Sequence, residues 1–163
     1  MSDDARLGPI DSGFSDTLRI LDRGRVTIAA LALGLGRAAL DAARKYAMDR
    51  EQFGKPIGDF QAIQWMIADN AMELDAARLL VWRAAWLQDQ GKRTTLESAQ
   101  AKLFAAQAAM KACNHAIQIH GGYGYTREFP VERYFRDAKL CEIGEGTNEI
   151  QKMIIARAII GRE

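Results

Sequence analysis

Residues 94–117 read TTLESAQAKLFAAQAAMKACNHAI, and this stretch decides the fold class. Leu96, Ala99, Leu103, Ala106, Met110, Cys113 and Ile117 recur at alternating spacings of three and four, so they share one face of an α-helix. Thr94 followed by Glu97 has the capping-box pattern, in which each side chain satisfies a free backbone N–H at the helix start. Gly121 and Gly122 stop the helix.

Similar patterns extend to both sides. Upstream, Ile28, Leu31, Leu35, Ala38, Ala42 and Tyr46 predict a first amphipathic helix beginning near Ser15. Gly54, Pro56 and Gly58 break it, because the residue before a proline is steered out of the helical region. Asp59 is placed to cap a second helix whose buried stripe is Phe60, Ile63, Ile67, Ala71, Leu74, Ala77 and Val81, stopped by Gln90 and Gly91. Downstream of Gly122, a loop to Pro130 leads into a short helix through Arg133 to Asp137. Gly144 and Gly146 interrupt the chain, and Thr147 or Asn148 opens a last helix with Ile150, Ile154 and Ala158 on one face. No run alternates apolar and polar residues as a strand does. The expected fold is all-α, an antiparallel four-helix bundle over residues 15–163 preceded by a flexible leader or linker remnant over residues 1–14.

Composition excludes several classes of partner. The chain has 163 residues, one domain's worth, enough to bury roughly 70% of the surface its unfolded form exposes. With 22 basic and 21 acidic residues the net charge is +1, so no electrostatic footprint for nucleic acid or anionic lipid stands out. Cys113 and Cys141 are too few and too far apart for a disulfide framework or zinc motif, as suits free thiols in a reducing compartment. No uninterrupted apolar run reaches the roughly 18 residues of a membrane span. The expectation is a soluble cytoplasmic protein, or one of the mitochondrial matrix if the source is eukaryotic.

Metal and nucleophile chemistry find no support. His115 and His120 are five residues apart, off a shared helix face, and no Glu-x-x-His pair exists to build a di-iron bundle. No phosphate loop or Gly-x-Ser-x-Gly string occurs. Trp65, Trp82 and Trp86 on the second helix read as packing or subunit contacts.

Function is carried by local strings. Arg50-Glu51-Gln52-Phe53-Gly54-Lys55-Pro56-Ile57 with Phe60-Gln61, then Gln118-Ile119-His120-Gly121-Gly122-Tyr123-Gly124-Tyr125, then Pro130-Val131-Glu132-Arg133, Arg136-Asp137-Ala138-Lys139 and Glu145-Gly146-Thr147 occur in one order along the chain. Together they resemble the acyl-CoA dehydrogenase family, specifically its carboxy-terminal helical domain, from about Gly13 to the end.

The resemblance implies a set of roles. Glu145 matches the family's catalytic base, which takes the α-proton of an acyl-CoA thioester while the β-hydrogen leaves as hydride to FAD. Gly144 and Gly146 on either side let backbone approach a ligand, and the helix start that follows sets partial positive charge nearby. Some relatives carry the base on the first helix, one position before the arginine of an Asp-x-x-Arg string. Here that string is Asp22-Arg23-Gly24-Arg25, and Gly24 has no carboxylate. Asp22, Arg25 and Gly146 match substrate-contacting positions; without the resemblance, Asp22 and Arg25 read as an ion pair on a solvated helix face. Arg50 matches a ligand of the FAD pyrophosphate, and Phe53 and Gln61 match further contacts to it. Gln118, Ile119, His120, Gly121 and Gly122 match the stretch that receives the adenosine end of an FAD bound to a neighbouring subunit, and Thr147 and Glu149 match positions near the flavin. At Gly144 many members have tyrosine, so the pocket near the reacting carbons is expected to be more open.

The same resemblance implies an amino-terminal helical domain and a middle β-domain ahead of this one. It further implies a homo-oligomer, dimer or tetramer, and an electron-transfer flavoprotein or similar acceptor. Two other readings stand beside the dehydrogenase: a noncatalytic helical interaction module on the same scaffold, and an acyl-CoA oxidase. The isolated domain is expected to be inactive and to bind FAD weakly or not at all.

Overall fold

The computed structural model describes residues 5–161, so residues 1–4 of the expected leader and the last two residues lie outside the described residues. Five α-helices make up the fold: α1 Gly13–Asp49, α2 Gln61–Asp89, α3 Thr95–His120, α4 Val131–Ile143 and α5 Asn148–Ile160. The short helix expected over 133–137 is therefore the full-length α4. One element was not anticipated: a two-residue hairpin, β1 Glu51–Gln52 against β2 Lys55–Pro56. Phe53 and Gly54 form its turn, with φ of 55° and 79°, the pair of positive values that a tight hairpin turn needs.

Residue pairs give the helix directions. Asp22 meets Thr95 and Tyr46 stacks on His120, so α1 and α3 run parallel; α2 runs against both, since its end at Gln88 reaches Asp22. Lys102 reaches Glu142 while Phe129, just before α4, meets His120, so α4 is antiparallel to α3. Helices α1 to α4 thus alternate in direction as expected for the bundle, with α3 at its centre.

The buried faces differ from those read from periodicity. On α1 the core is Val26, Ala29, Ala32, Ala39, Ala43 and Ala47, while Leu31 is exposed and Ile28, Leu35 and Tyr46 sit at the flank. On α3 the alanines 99, 101, 105, 106, 108, 109, 112 and 116 are buried, with Met110 and Ile117 only partly so. On α2, Leu74, Ala77 and Val81 are buried as expected, but Ala71 is exposed and Asn70 takes its place. On α5, Ile150 and Ala158 are exposed and the buried residues are Asn148 and Gln151. The cause is closeness: side chains of one carbon let backbones approach until larger residues are squeezed to the rim.

Gly36 marks the tightest point. A Cβ there would lie 2.6 Å from Leu74 Cδ2 and 3.1 Å from the Ala109 Cα. Gly36→Ala is therefore expected to destabilise the fold by about 1–3 kcal/mol through overpacking, despite alanine's better helix propensity. Gly34→Ala, which meets nothing within 4 Å, should stabilise it by about 1 kcal/mol. Urea unfolding of both variants checks the opposite signs.

Two expected caps do not form. Thr94 precedes α3, but its hydroxyl accepts from Ser98 Oγ at 3.1 Å and Gln88 Nε2 at 3.3 Å, while Glu97 accepts from Arg83 at 3.3 Å across the α2–α3 gap. Tertiary partners have outcompeted the local box. Asp59 lies in a 3₁₀ turn over Ile57–Asp59, and α2 starts after Phe60 without a side-chain cap. Thr147 does cap α5, accepting from the Ile150 N–H at 3.4 Å.

Helix α1 contains an 18-residue window of mean hydropathy 1.5, long and apolar enough to cross a bilayer by length and composition alone. A third of that window, 33%, is buried within the chain, with its alanine face in the bundle core.

Candidate functional site

The turn between α4 and α5 brings chemistry together. Gly144 leaves α4 extended, with φ −63° and ψ 153°, a conformation open to any residue. Glu145 follows at φ 55° and Gly146 at φ 90°. Only Gly146 therefore needs to be glycine on backbone grounds. Glu145, by contrast, sits in the left-handed region that non-glycine residues seldom occupy, at a cost of about 1–3 kcal/mol.

That backbone sends the Glu145 side chain onto α1. A Cβ built on Gly24 would lie 2.6 Å from Glu145 Oε2 and 3.0 Å from its carboxyl carbon. The carboxylate thus occupies the space that a side chain at Gly24 would fill. Sequence reading saw in Gly24 only a missing carboxylate; its glycine is what admits the carboxylate of Glu145.

Asp22 and Arg25, on the neighbouring turns of α1, form the expected ion pair at 2.6 Å. The solvated-face reading fails, because their side chains are 17% and 7% exposed. Asp22 also accepts from the Thr95 hydroxyl at 2.7 Å, tying α1 to the start of α3, and Arg25 Nε has no hydrogen-bond partner among the described residues. Gly146, Thr147 and the exposed Glu149 lie on the same side of the bundle as Glu145. The Glu149 carboxyl is held below its usual range by its own backbone N–H and by the Thr147 hydroxyl.

The other expected ligand-binding residues stand elsewhere. Arg50, Phe53 and Gln61 are exposed near the far end of α1, and Phe53 is 91% exposed with its backbone in the strained turn. Tyr46 stacks on His120 with ring centroids 4.2 Å apart, which brings the carboxy-terminal end of α3 to this same end of the bundle. Within that stretch Gln118, Gly121 and Gly122 are exposed, but the side chains of Ile119 and His120 are buried. His120 Nδ1 contacts the Ala116 carbonyl at 2.7 Å, and burial lowers the pKa of the ring. Its side chain, like that of Ile119, is a packing element; only their backbones remain for a ligand.

The two groups do not meet within one chain. Gly24 and Arg50 are separated by about 39 Å along α1, at 1.5 Å per residue.

Two residues that sequence reading passed over complete the Glu145 turn. Lys102 is fully buried and donates to the Glu142 carbonyl at 3.1 Å and to Asn148 Oδ1 at 3.3 Å. Gln151, also fully buried, donates through Nε2 to the carbonyls of Glu145 at 3.3 Å and Gly146 at 2.9 Å. A signal for Lys102 was present: Ser98, Lys102, Ala105, Ala109, Ala112 and Ala116 form a line of three- and four-residue steps in which it alone is large and charged.

Among the described residues no cluster of metal-ligating side chains occurs. Burial raises the thiol pKa of Cys113 to about 12 and also raises that of Cys141, so both are packed as inert thiols.

Residues 11–160 match the family model described as acyl-CoA dehydrogenase, C-terminal domain. The chain is 58% identical over 154 residues to the probable acyl-CoA dehydrogenase YngJ of Bacillus subtilis, covering 94% of this chain and 40% of that protein. It is 48% identical to the caffeyl-CoA reductase-Etf complex subunit CarC of Acetobacterium woodii, covering 95% and 41%. The structure superposes on butyryl-CoA dehydrogenase from Megasphaera elsdenii with a TM-score of 0.93 at 46% identity, covering 94% of this chain and 40% of that one. The chain thus spans about two fifths of the length of these relatives, and it belongs to the acyl-CoA dehydrogenase family as a carboxy-terminal helical domain.

Proposed function

We propose that the helical bundle, which begins at Gly13 rather than at residue 15, is the carboxy-terminal domain of an FAD-dependent acyl-CoA dehydrogenase, and that Glu145 is the base. The observation that carries this reading is the strained backbone of Glu145, which holds a carboxylate against the bare backbone of Gly24. A non-glycine residue in that conformation between two helices is the kind of strain that functional sites retain. Glu145 Oε2 takes the α-proton of the thioester, and the electron pair of the broken C–H bond forms the α,β double bond as the β-hydrogen departs. FAD, when bound, supplies the acceptor for that β-hydrogen as hydride. Asp22, Arg25 and Gly146 position the acyl-CoA beside the carboxylate.

The residues fit a flavin dinucleotide by their chemistry. Arg50 offers paired N–H donors for a pyrophosphate. Phe53 is an aromatic ring held out into solvent by a strained turn, and Gly121 and Gly122 have nothing within 4 Å of a built Cβ, so a ligand can reach their backbone. Gln61, Gln118 and Thr147 add polar contacts, as does Glu149, with Ile119 and His120 contributing backbone.

The separation of these residues from Glu145 supports a homo-oligomer, dimer or tetramer, in which two copies contribute to each flavin. Trp65, Met72, Leu79, Trp82 and Trp86 on the outer face of α2 are each more than half exposed, a stripe suited to such contacts. The complex named for CarC supports an electron-transfer flavoprotein or similar protein as the acceptor. The location we infer is cytoplasmic, or the matrix in a mitochondrial setting. The isolated chain is inactive and binds FAD weakly or not at all on this account; copurification of stoichiometric yellow flavin would contradict that.

The direct test is anaerobic mixing of the complete polypeptide with a panel of acyl-CoAs. Bleaching of the flavin absorbance supports the reading, and no bleaching with any member overturns it. In the same protein, Arg50→Ala should weaken FAD binding about 10- to 100-fold, the loss of roughly 1.5–3 kcal/mol from a charged hydrogen bond, as read by titrating the apoprotein with FAD.

A further inference from the structure

An ammonium group with no exposed surface, in a line of α3 positions otherwise held by Ser98, Ala105, Ala109, Ala112 and Ala116, requires explanation. Lys102 is such a group. Burial lowers its pKa, and it forms no ion pair within 4 Å among the described residues. A buried charge is expensive, and an apolar residue of similar volume usually serves stability as well or better. What Lys102 holds therefore matters more than what it packs against.

It holds both ends of one turn. Glu142, whose carbonyl it binds, lies in the last turn of α4; Asn148, whose side-chain oxygen it binds, is the first residue of α5. Asn148 Nδ2 in turn donates to Glu142 Oε1 at 3.3 Å, closing a ring of contacts across the turn. Glu145 is at the middle of that turn. From inside it, Gln151 Nε2 binds the carbonyls of Glu145 and Gly146. None of these contacts touches the Glu145 carboxylate, so all of them act on the backbone that aims it. Left alone, a residue at φ 55° relaxes towards negative φ and swings its side chain away.

We propose that Lys102, through its paired bonds to Glu142 and Asn148, is a positioning residue that clamps the α4–α5 turn and keeps the Glu145 carboxylate seated against Gly24. The inference rests on the reading of Glu145 as the base. An error of about 1 Å in the placement of a catalytic group costs on the order of 100-fold in rate, so loss of the clamp acts on the chemical step.

The test uses the complete flavoprotein and compares Lys102→Met, Asn148→Leu, Glu145→Gln and the double variant Lys102→Met/Glu145→Gln. Lys102→Met should lower kcat about 100-fold with KM for the acyl-CoA changed less than about threefold, because the substrate contacts at Asp22 and Arg25 remain. Amide hydrogen exchange should quicken across residues 144–151 and stay unchanged in the α1 and α3 core. In the Glu145→Gln background, Lys102→Met should add no further loss of rate. Asn148→Leu cuts the same link from the other side and should reproduce the kcat loss, which keeps the test decisive even where Lys102→Met fails to fold. A wild-type kcat in a folded Lys102→Met or Asn148→Leu protein, or unchanged exchange across 144–151, overturns the proposal. If Glu145→Gln itself retains full activity, it is the assignment of the base that fails, an outcome distinguishable from failure of the clamp.

Discussion

Replacing Glu145 by glutamine in the complete flavoprotein is expected to slow flavin reduction by an acyl-CoA at least about 1,000-fold, with little change in melting temperature. The amide has the shape of the carboxylate but cannot accept the α-proton at neutral pH. A factor of this size corresponds to about 4 kcal/mol of lost transition-state stabilisation. Stability should hold because every hydrogen bond that fixes the turn goes elsewhere: Gln151 binds the Glu145 and Gly146 carbonyls, Lys102 binds Glu142 and Asn148, and Thr147 caps α5. Stopped-flow absorbance at the flavin band and a thermal melt measure the two halves separately. A variant that unfolded early would point to a structural duty for the side chain.

Gly24→Ala is the second large effect. Its new Cβ would fall 2.6 Å from Glu145 Oε2, and the atom it meets is the far end of a flexible side chain. The carboxylate yields and the backbone does not. Stability should therefore rise slightly, by up to about 1 kcal/mol, since alanine is the better helix former. Flavin reduction should fall on the order of 10- to 100-fold as the base is pushed off line. A gain in stability with a loss of activity is a pattern that ordinary packing damage does not produce. Gly34→Ala on the same helix, with open space around it, should share the stability gain and leave the rate untouched.

The sequence offered candidate residues for a site but little of its geometry. The helices of the bundle were legible because apolar residues recur at three and four over long stretches, and Gly121, Gly91 and the Gly54-Pro56 segment end them where the chain turns. The buried faces were less so. Periodicity finds an apolar arc, but it cannot tell that the closest approach, as at Gly36 and Ala109, is made by small residues while Leu31 is left outside. The capping box at Thr94 and Glu97 was a sound local pattern that lost its partners to Ser98 one turn further along α3 and to Gln88 and Arg83 of α2.

At the proposed site, the motif singled out Glu145 as the candidate base. Its positive φ was hidden, and so was its seat against Gly24, because that contact joins residues 121 positions apart. The buried state of Asp22 and Arg25 was hidden for the same reason, since their cover comes from other helices. Lys102 shows the opposite: a lone charge in a line of alanines is visible in one dimension, and its meaning appears only when α4 and α5 close over it.

Proton transfer at the thioester can be read apart from hydride transfer by following loss of deuterium from the α-carbon of a labelled acyl-CoA into water. The wild-type flavoprotein should release the label while Glu145→Gln retains it. Release at an equal rate from both proteins would mean that another group takes the proton.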